Sequence, residues 1–152
     1  MRAVFSFFPL LVIPVAIYNI IAVTYSGTTV NYDAVNNAAP LLELLSGSLL
    51  TFPMISGVTW SITNGEMLVI VAIALLFIEI LKSTSTGTSS IFNHAISLSL
   101  FVVCLIEFLI MPNFATSTFF IIMSMTLLDV LAGVIVTIVS ARRDFGVGEG
   151  FA

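Results

Sequence analysis

Residues 117–140 read STFFIIMSMTLLDVLAGVIVTIVS, and Asp129 is the one ionisable side chain in this run. About 20 apolar residues in an α-helix cross a bilayer core of roughly 30 Å, so the run is long enough to span a membrane. Three other stretches are predicted to span as well, at about residues 3–24, 64–82 and 91–111. The sequence therefore predicts an all-α membrane protein, built as a bundle of four transmembrane helices.

The composition indicates the same class of protein. Of the 152 residues, 59% are hydrophobic and 8% are charged, and the mean hydropathy is +1.21. A soluble domain has about 25% charged residues, because its surface must be solvated. The net charge of −4 argues against a nucleic-acid partner, which requires a basic surface. We expect one membrane domain at residues 1–144, with the lipid bilayer as its partner, and a flexible cytoplasmic tail at residues 145–152.

The basic residues predict the orientation of the four helices. Arg2 precedes the first span, Lys82 ends the second, and Arg142 and Arg143 follow the fourth. With four spans these residues all lie on one side, and the positive-inside rule then places both termini in the cytoplasm. A signal peptide is the alternative interpretation of the first span. The length of the run and the lack of an A-x-A site favour a retained anchor.

Residues 25–63 form the predicted outer segment between the first two spans. Residues 25–39 are rich in Ser, Gly, Thr and Asn and are predicted to be loop. We expect residues 40–45 to form a short interfacial helix with Pro40 at its first position. Apolar side chains alternate along residues 50–54 and again along 58–62. This alternation on either side of Ser56 and Gly57 favours a β-hairpin with one apolar face.

Two further features of the outer segment are Trp60 and the start of the second span. The hairpin is either a docking surface for a partner, or a lid that Trp60 anchors among the lipid headgroups, as Trp commonly does at membrane interfaces. The sequence Thr63-Asn64-Gly65-Glu66 fits a capping box. In that motif the side chains of Thr63 and Glu66 each bind a free amide at the start of the helix.

Glu107 and Asp129 are the predicted intramembrane carboxyl groups. A carboxylate inside a membrane helix is costly, so it normally faces protein or water. At 100° per residue, Glu107 shares a helix face with Ser97 and Cys104. By the same rule Asp129 shares a face with Gly133, where another helix can approach closely. We expect the two carboxyls at depths about 11 Å apart. They are either packing groups between helices or subunits, or a proton or cation site.

Simpler roles are predicted for the other ionisable residues. Glu79 and Lys82 lie one helical turn apart and are expected to form an ion pair at the cytoplasmic rim. His94 begins the third span, and one histidine and one cysteine are too few for a haem pair or a zinc site. No nucleophile, phosphate-loop or zinc-protease motif is present. The sequence therefore predicts no metal and no cofactor, and it favours a non-enzymatic protein.

Short motifs in the last two-thirds of the chain carry a resemblance to a known family. They are GVTW at 57–60, LKST at 81–84, NHA at 93–95, CLIEF at 104–108, ATSTFF at 115–120, LDVLAG at 128–133 and ARRD at 141–144. With these motifs the chain resembles a family of small multispan proteins from bacterial (alphaproteobacterial) inner membranes. The resemblance implies a multi-pass protein of the bacterial cytoplasmic membrane, and it implies no particular activity.

Three functions remain open from the sequence. The first is a non-enzymatic membrane subunit or accessory protein, which docks other membrane proteins or assembles as a homo-oligomer or within a larger complex. The alternative is a small transporter or proton- or cation-conducting protein that uses Asp129 and Glu107. A weaker third possibility is an enzyme that acts on lipid or quinone.

Overall fold

The computed structural model describes residues 8–25, 34–83 and 88–146. In these ranges the chain is mostly helical and contains one small two-stranded sheet. The elements, in chain order, are α1 (Val12–Thr24), α2 (Ala34–Ser46), β1 (Ser48–Pro53), β2 (Thr59–Thr63), α3 (Asn64–Ser83), α4 (Thr88–Ile110), a 3-10 turn (Pro112–Phe114) and α5 (Ser117–Gly146).

Three helices are long and apolar enough to cross a membrane. They are the parts of α3, α4 and α5 at Asn64–Lys82, Phe92–Ile110 and Ser117–Val136. The fourth apolar helix, α1, has 13 residues and is therefore about 20 Å long at 1.5 Å per residue, shorter than a bilayer core. Of the predicted first span at 3–24, residues 8–11 form a turn rather than helix, and residues 3–7 lie outside the described residues.

The central helix of the bundle is α5. Within the protein, 44% of its apolar span is buried, against 22% for α3 and 17% for α4. Gly65 near the start of α3 lies beside Thr118 near the start of α5, so these two helices run in the same direction. The short connection between α4 and α5 makes them antiparallel neighbours, with the rings of Phe108 and Phe120 in contact at 5.4 Å.

The start of α3 is the capping box that the sequence predicts. The backbone N–H of Glu66 donates to the Thr63 hydroxyl at 3.2 Å, and the Thr63 N–H donates to the Glu66 carboxylate at 2.8 Å. Asn64 adds a bond from its side-chain amide to the Leu44 carbonyl at 2.8 Å. These bonds satisfy free amides at the helix start and tie α2 to α3.

The strands β1 and β2 form the predicted antiparallel hairpin. Phe52 pairs with Trp60 and Leu50 with Ile62, so these four apolar side chains share one face of the sheet. The turn closes through a bond from the Met54 N–H to the Val58 carbonyl at 2.9 Å. Gly57 has a φ of 82°, a left-handed conformation that glycine adopts without strain.

Two predicted boundaries differ from the structure. The helix α2 begins at Ala34 and contains Pro40 in its interior, so the prediction of loop up to residue 39 and of Pro40 as the first helical residue is wrong. The helix α5 continues to Gly146, beyond the predicted end at residue 140. The rest of the predicted tail, residues 147–152, and residues 26–33 of the predicted loop lie outside the described residues.

The segment that contains α1 is fastened at both ends of the bundle. At the end that carries the hairpin (the hairpin end), the fully buried Tyr18 hydroxyl donates to the Asn113 carbonyl at 3.0 Å. The same hydroxyl lies 2.6 Å from the Thr116 hydroxyl, and the Asn113 amide donates to the Ala22 carbonyl at 3.2 Å. At the other end (the opposite end), the Leu10 N–H donates to Glu79 of α3.

Replacing Tyr18 with phenylalanine tests this attachment. The Asn113 carbonyl and the Thr116 hydroxyl would lose a buried partner, and we expect a free energy of unfolding about 1–3 kcal/mol lower. Equilibrium unfolding in detergent micelles measures this change. Tyr25→Phe is the matched control, because the Tyr25 side chain is largely exposed and its change should stay within about 0.5 kcal/mol. Equal effects of the two substitutions would contradict the assignment.

Candidate functional site

A cluster of polar side chains is buried at the opposite end of the bundle, and Glu79 of α3 is its centre. Glu79 is fully buried. Its Oε1 accepts a bond from the Asn93 side-chain amide of α4 at 2.6 Å, and its Oε2 accepts the Leu10 N–H at 2.9 Å. The structure also contains the predicted ion pair, with Lys82 Nζ 2.8 Å from Oε1. Every acceptor of this buried carboxylate therefore has a donor.

Lys82 connects the cluster to the segment that precedes α1. Its ammonium group donates to the Phe8 carbonyl at 2.8 Å and to Asn93 Oδ1 at 3.4 Å, in addition to Glu79. The Lys82 side chain is 21% exposed. It is thus the point where the cluster meets the surface, and its three donor positions are used.

Asp129 of α5 lies deeper in the same cluster. It is 1% exposed and faces the Ser97 hydroxyl of α4, within electrostatic range of Glu79, His94 and Lys82. Among the described residues, the Ser97 hydroxyl is the side-chain donor that approaches Asp129, but the two do not reach the geometry of a well-formed hydrogen bond. Buried carboxyl groups in folded proteins normally form such bonds. Asp129 thus differs from Glu79, whose two carboxylate oxygens both accept hydrogen bonds.

Gly133 lies one turn beyond Asp129 on the same side of α5. It is buried, and a Cβ placed on it would overlap the imidazole ring of His94. The small residue therefore does allow another helix to approach closely, and that helix is α4 of the same chain. The His94 ring packs on α5 beside the polar cluster, so His94 is part of this region of the protein and not of a separate site.

Cys104 and Glu107 do not belong to this cluster. Cys104 is fully buried in the apolar core. Glu107 is half-buried and accepts a bond from the Asn19 side-chain amide of α1 at 3.2 Å, while the same amide donates to Val15 at 3.1 Å. Ser97, which faces Asp129, is ten residues from Glu107 along α4, so the two carboxyls are separated by about 15 Å along the bundle. The predicted set of intramembrane polar residues is thus divided between two levels.

The hairpin end presents a different surface. Trp60 is 52% exposed, with its ring 6.0 Å from that of Phe52. A groove of about 360 Å³ lies between the hairpin and the first turns of α3 and α5. Its lining residues are Trp60, Ile62, Gly65, Glu66, Val69, Ile70, Ser117, Thr118 and Ile121.

Sequence reasoning missed three contacts that build the cluster. Asn93, Leu10 and Phe8 reach the Glu79–Lys82 pair from other segments, and only helix packing reveals such neighbours. The motif Asn93-His94 at the start of a span was the available signal, since an amide there must find a partner. Among the described residues, no group of three metal-ligating side chains is present.

Comparisons with protein-family models, curated proteins and solved structures found no match. The resemblance to the family of bacterial inner-membrane proteins therefore stays a prediction. The chemistry of the chain has to be inferred from its own residues.

The close contact of Gly133 with His94 can be tested by adding a methyl group. Gly133→Ala should lower the free energy of unfolding by about 1–3 kcal/mol, because an extra carbon overfills a packed position. His94→Ala removes the ring that the methyl group would meet. The double variant should therefore be more stable than the sum of the single effects predicts, by about 1 kcal/mol or more. Additive effects in detergent unfolding experiments would show that the ring is not the obstacle.

Proposed function

We propose that the chain is a four-span membrane protein in which α1 and the turn before it cross the bilayer together. The support comes from the contacts at its two ends. Leu10 and Phe8 bind Glu79 and Lys82 at the end of α3, and Ala22 binds the turn between α4 and α5. The segment thus covers the height of the bundle, although its helical part alone is too short.

We propose further that the opposite end faces the cytoplasm. Lys82 lies at that end, and α5 carries Arg142 and Arg143 towards the same end. Basic residues are retained on the cytoplasmic side during membrane insertion. The bacterial inner membrane as the location rests on the family resemblance alone.

For the function, we propose a non-enzymatic subunit or accessory protein that docks another membrane protein, or a second copy of itself, through its hairpin end. The observation that carries this proposal is the half-exposed Trp60 at the edge of an apolar groove. Leu50 and Phe52 on the same face are also exposed by more than 40%. Residues 48–63 contain no charged side chain, so exposure of this apolar face to water is unfavourable. Exposed apolar surface of this kind is typical of interaction sites.

The groove favours a protein partner over a simple lid. It is concave and has room for several inserted side chains, and Trp is among the residues that contribute most to protein interfaces. A lid that lies flat on lipid headgroups needs one apolar face and no groove. The lid interpretation therefore accounts for Trp60 and leaves the groove unexplained.

The alternative function is conduction of protons or cations by Asp129 and Glu107. The observation in its favour is that Asp129 is buried without a well-formed hydrogen bond among the described residues. Against it stands the separation of the two carboxyls, since the fully buried Cys104 and Ile122 lie between their levels. Proton flux in liposomes that Asp129→Asn abolishes would favour this alternative.

Reporter fusions test the four-span topology. Fusions at Ser85 and after Ala152 should report the cytoplasm, and a fusion at Asn36 should report the outer side. The physical reason is that an uneven distribution of basic residues fixes the direction of insertion. A cytoplasmic signal at Asn36 would contradict the crossing of the first segment and would leave three spans.

Site-specific photo-crosslinking in native membranes tests the docking surface. A photoreactive residue at Ile55, which is fully exposed at the hairpin tip, should give a protein adduct of one discrete size. Trp60→Ala should reduce the yield about tenfold, since removing a central Trp typically costs 1.4 kcal/mol or more of binding free energy.

The matched control for this experiment is the same photoreactive residue at Ile73. Ile73 is 52% exposed in the middle of α3, where we expect lipid adducts that do not depend on Trp60. Lipid adducts alone at Ile55, as at Ile73, would contradict docking and support the lid.

A further inference from the structure

We propose that Asp129 is a proton-binding site that exchanges its proton with the opposite end of the bundle and is closed towards the hairpin end. The proposal concerns a site that the docking function does not use, so either can fail without the other. It rests on the burial of Asp129, on its surroundings and on the distribution of polar groups along the bundle.

The first step concerns the charge state of Asp129. An ionised carboxylate without hydrogen bonds or a paired cation is very costly in an apolar interior. Asp129 and Ser97 are both 1% exposed. Among the described residues the Ser97 hydroxyl is the nearby donor, and neither oxygen of Asp129 reaches the geometry of a well-formed hydrogen bond with it. A bound proton removes the charge, and the resulting carboxylic acid gains a donor that can turn towards Ser97.

The second step concerns the charged groups that face Asp129. From α3 they are Glu79 and Lys82, and from α4 the titratable group is His94. The Lys82 ammonium already binds Glu79, the Phe8 carbonyl and Asn93. It would have to leave these partners to neutralise Asp129, whereas a proton neutralises the carboxylate without any rearrangement.

The third step compares a metal cation with a proton as the resident ligand. Hard cations such as calcium or magnesium bind about six or more oxygen atoms. Among the described residues, the buried side-chain oxygens here that no hydrogen bond occupies are three, two from Asp129 and one from Ser97. The small number of oxygens fits a proton better than a dehydrated cation.

The fourth step concerns access. Towards the opposite end, Asn93 lies one turn from Ser97 on α4, and the network continues through Glu79 to the partly exposed Lys82. Towards the hairpin end, the buried Thr126 hydroxyl already donates to the Met123 carbonyl at 2.7 Å, and beyond it lies a layer of fully or almost fully buried apolar side chains. This layer consists of Val15, Ala72, Cys104, Phe119, Ile122 and Met125. A proton can therefore reach Asp129 through polar groups from one side only.

Infrared spectroscopy of the full chain in liposomes tests the bound proton. A protonated carboxylic acid has a C=O stretching band that a carboxylate lacks, and we expect one such band at neutral pH. Labelling the aspartates with carbon-13 should shift it, and Asp129→Asn should remove it completely. Asp129→Glu should shift it without loss, which keeps the assignment testable if the asparagine variant does not fold. The control Glu66→Gln, which removes an exposed carboxylate of the capping box, should leave it unchanged.

The same band reports the direction of access when the pH is changed on one side of sealed vesicles. Alkaline buffer at the opposite end should diminish the band, and alkaline buffer at the hairpin end should not. A band absent at neutral pH, or one that sodium chloride removes at constant pH, would overturn the bound proton. A band that persists at every pH would overturn proton exchange. A response to the hairpin side, or steady proton flux through the protein, would overturn the closed side.

Discussion

The buried Glu79 carboxylate is the interaction on which the rest of the bundle depends. It binds the backbone before α1, the start of α4 and the end of α3, and its partner Lys82 binds the same three segments. Removing one partner from a buried ion pair typically costs about 3–5 kcal/mol, because the remaining charge is left without compensation. Among apolar helices, van der Waals contact alone distinguishes few arrangements. The directional bonds of Glu79 therefore select which helix ends meet.

The polar contacts at the hairpin end complete this arrangement. Tyr18 and Asn113 bind α1 to the turn after α4, and Asn64 binds α2 to α3, while the level between the two ends is filled mainly by apolar side chains. A structure with polar bonds at both ends and a dry middle resists sliding of one helix along another, since a shift by one turn would break bonds at both ends together. The exposed Trp60 lies beyond the hairpin end, and Asp129 lies inside the opposite end. The two candidate sites are thus separated by the dry level and can act independently.

The sequence predicts those parts of this structure that depend on local pattern. The capping box at Thr63, the alternation around Trp60 and the apolar runs of α3, α4 and α5 are local signals, and the structure contains each of these elements. The predictions that failed, or that were incomplete, depend on partners distant in sequence. Pro40 is tolerated inside α2, where local preference predicts a helix start. The spacing of three residues predicts the pair of Glu79 with Lys82 and gives no information about Leu10 or Asn93. Gly133 was recognised as a point of close approach, but periodicity cannot identify which helix approaches.

The contact of Gly133 with His94 also determines where Asp129 can lie. The helices α4 and α5 are antiparallel, so their contacts follow one another along the pair. His94 packs on Gly133, and Ser97 faces Asp129 one turn further in. Phe108 meets Phe120 near the hairpin end. A side chain at residue 133 would push α4 away from α5 at the level of His94. It would also open the level of Asp129 and Ser97 to the polar cluster. The glycine thus keeps the bundle closed around a carboxyl group whose ionised form is unfavourable there. Close helix packing and the state of Asp129 are therefore linked. The packing keeps water away from the carboxyl group, and the protonated form is favoured because the ionised form would be buried without solvation.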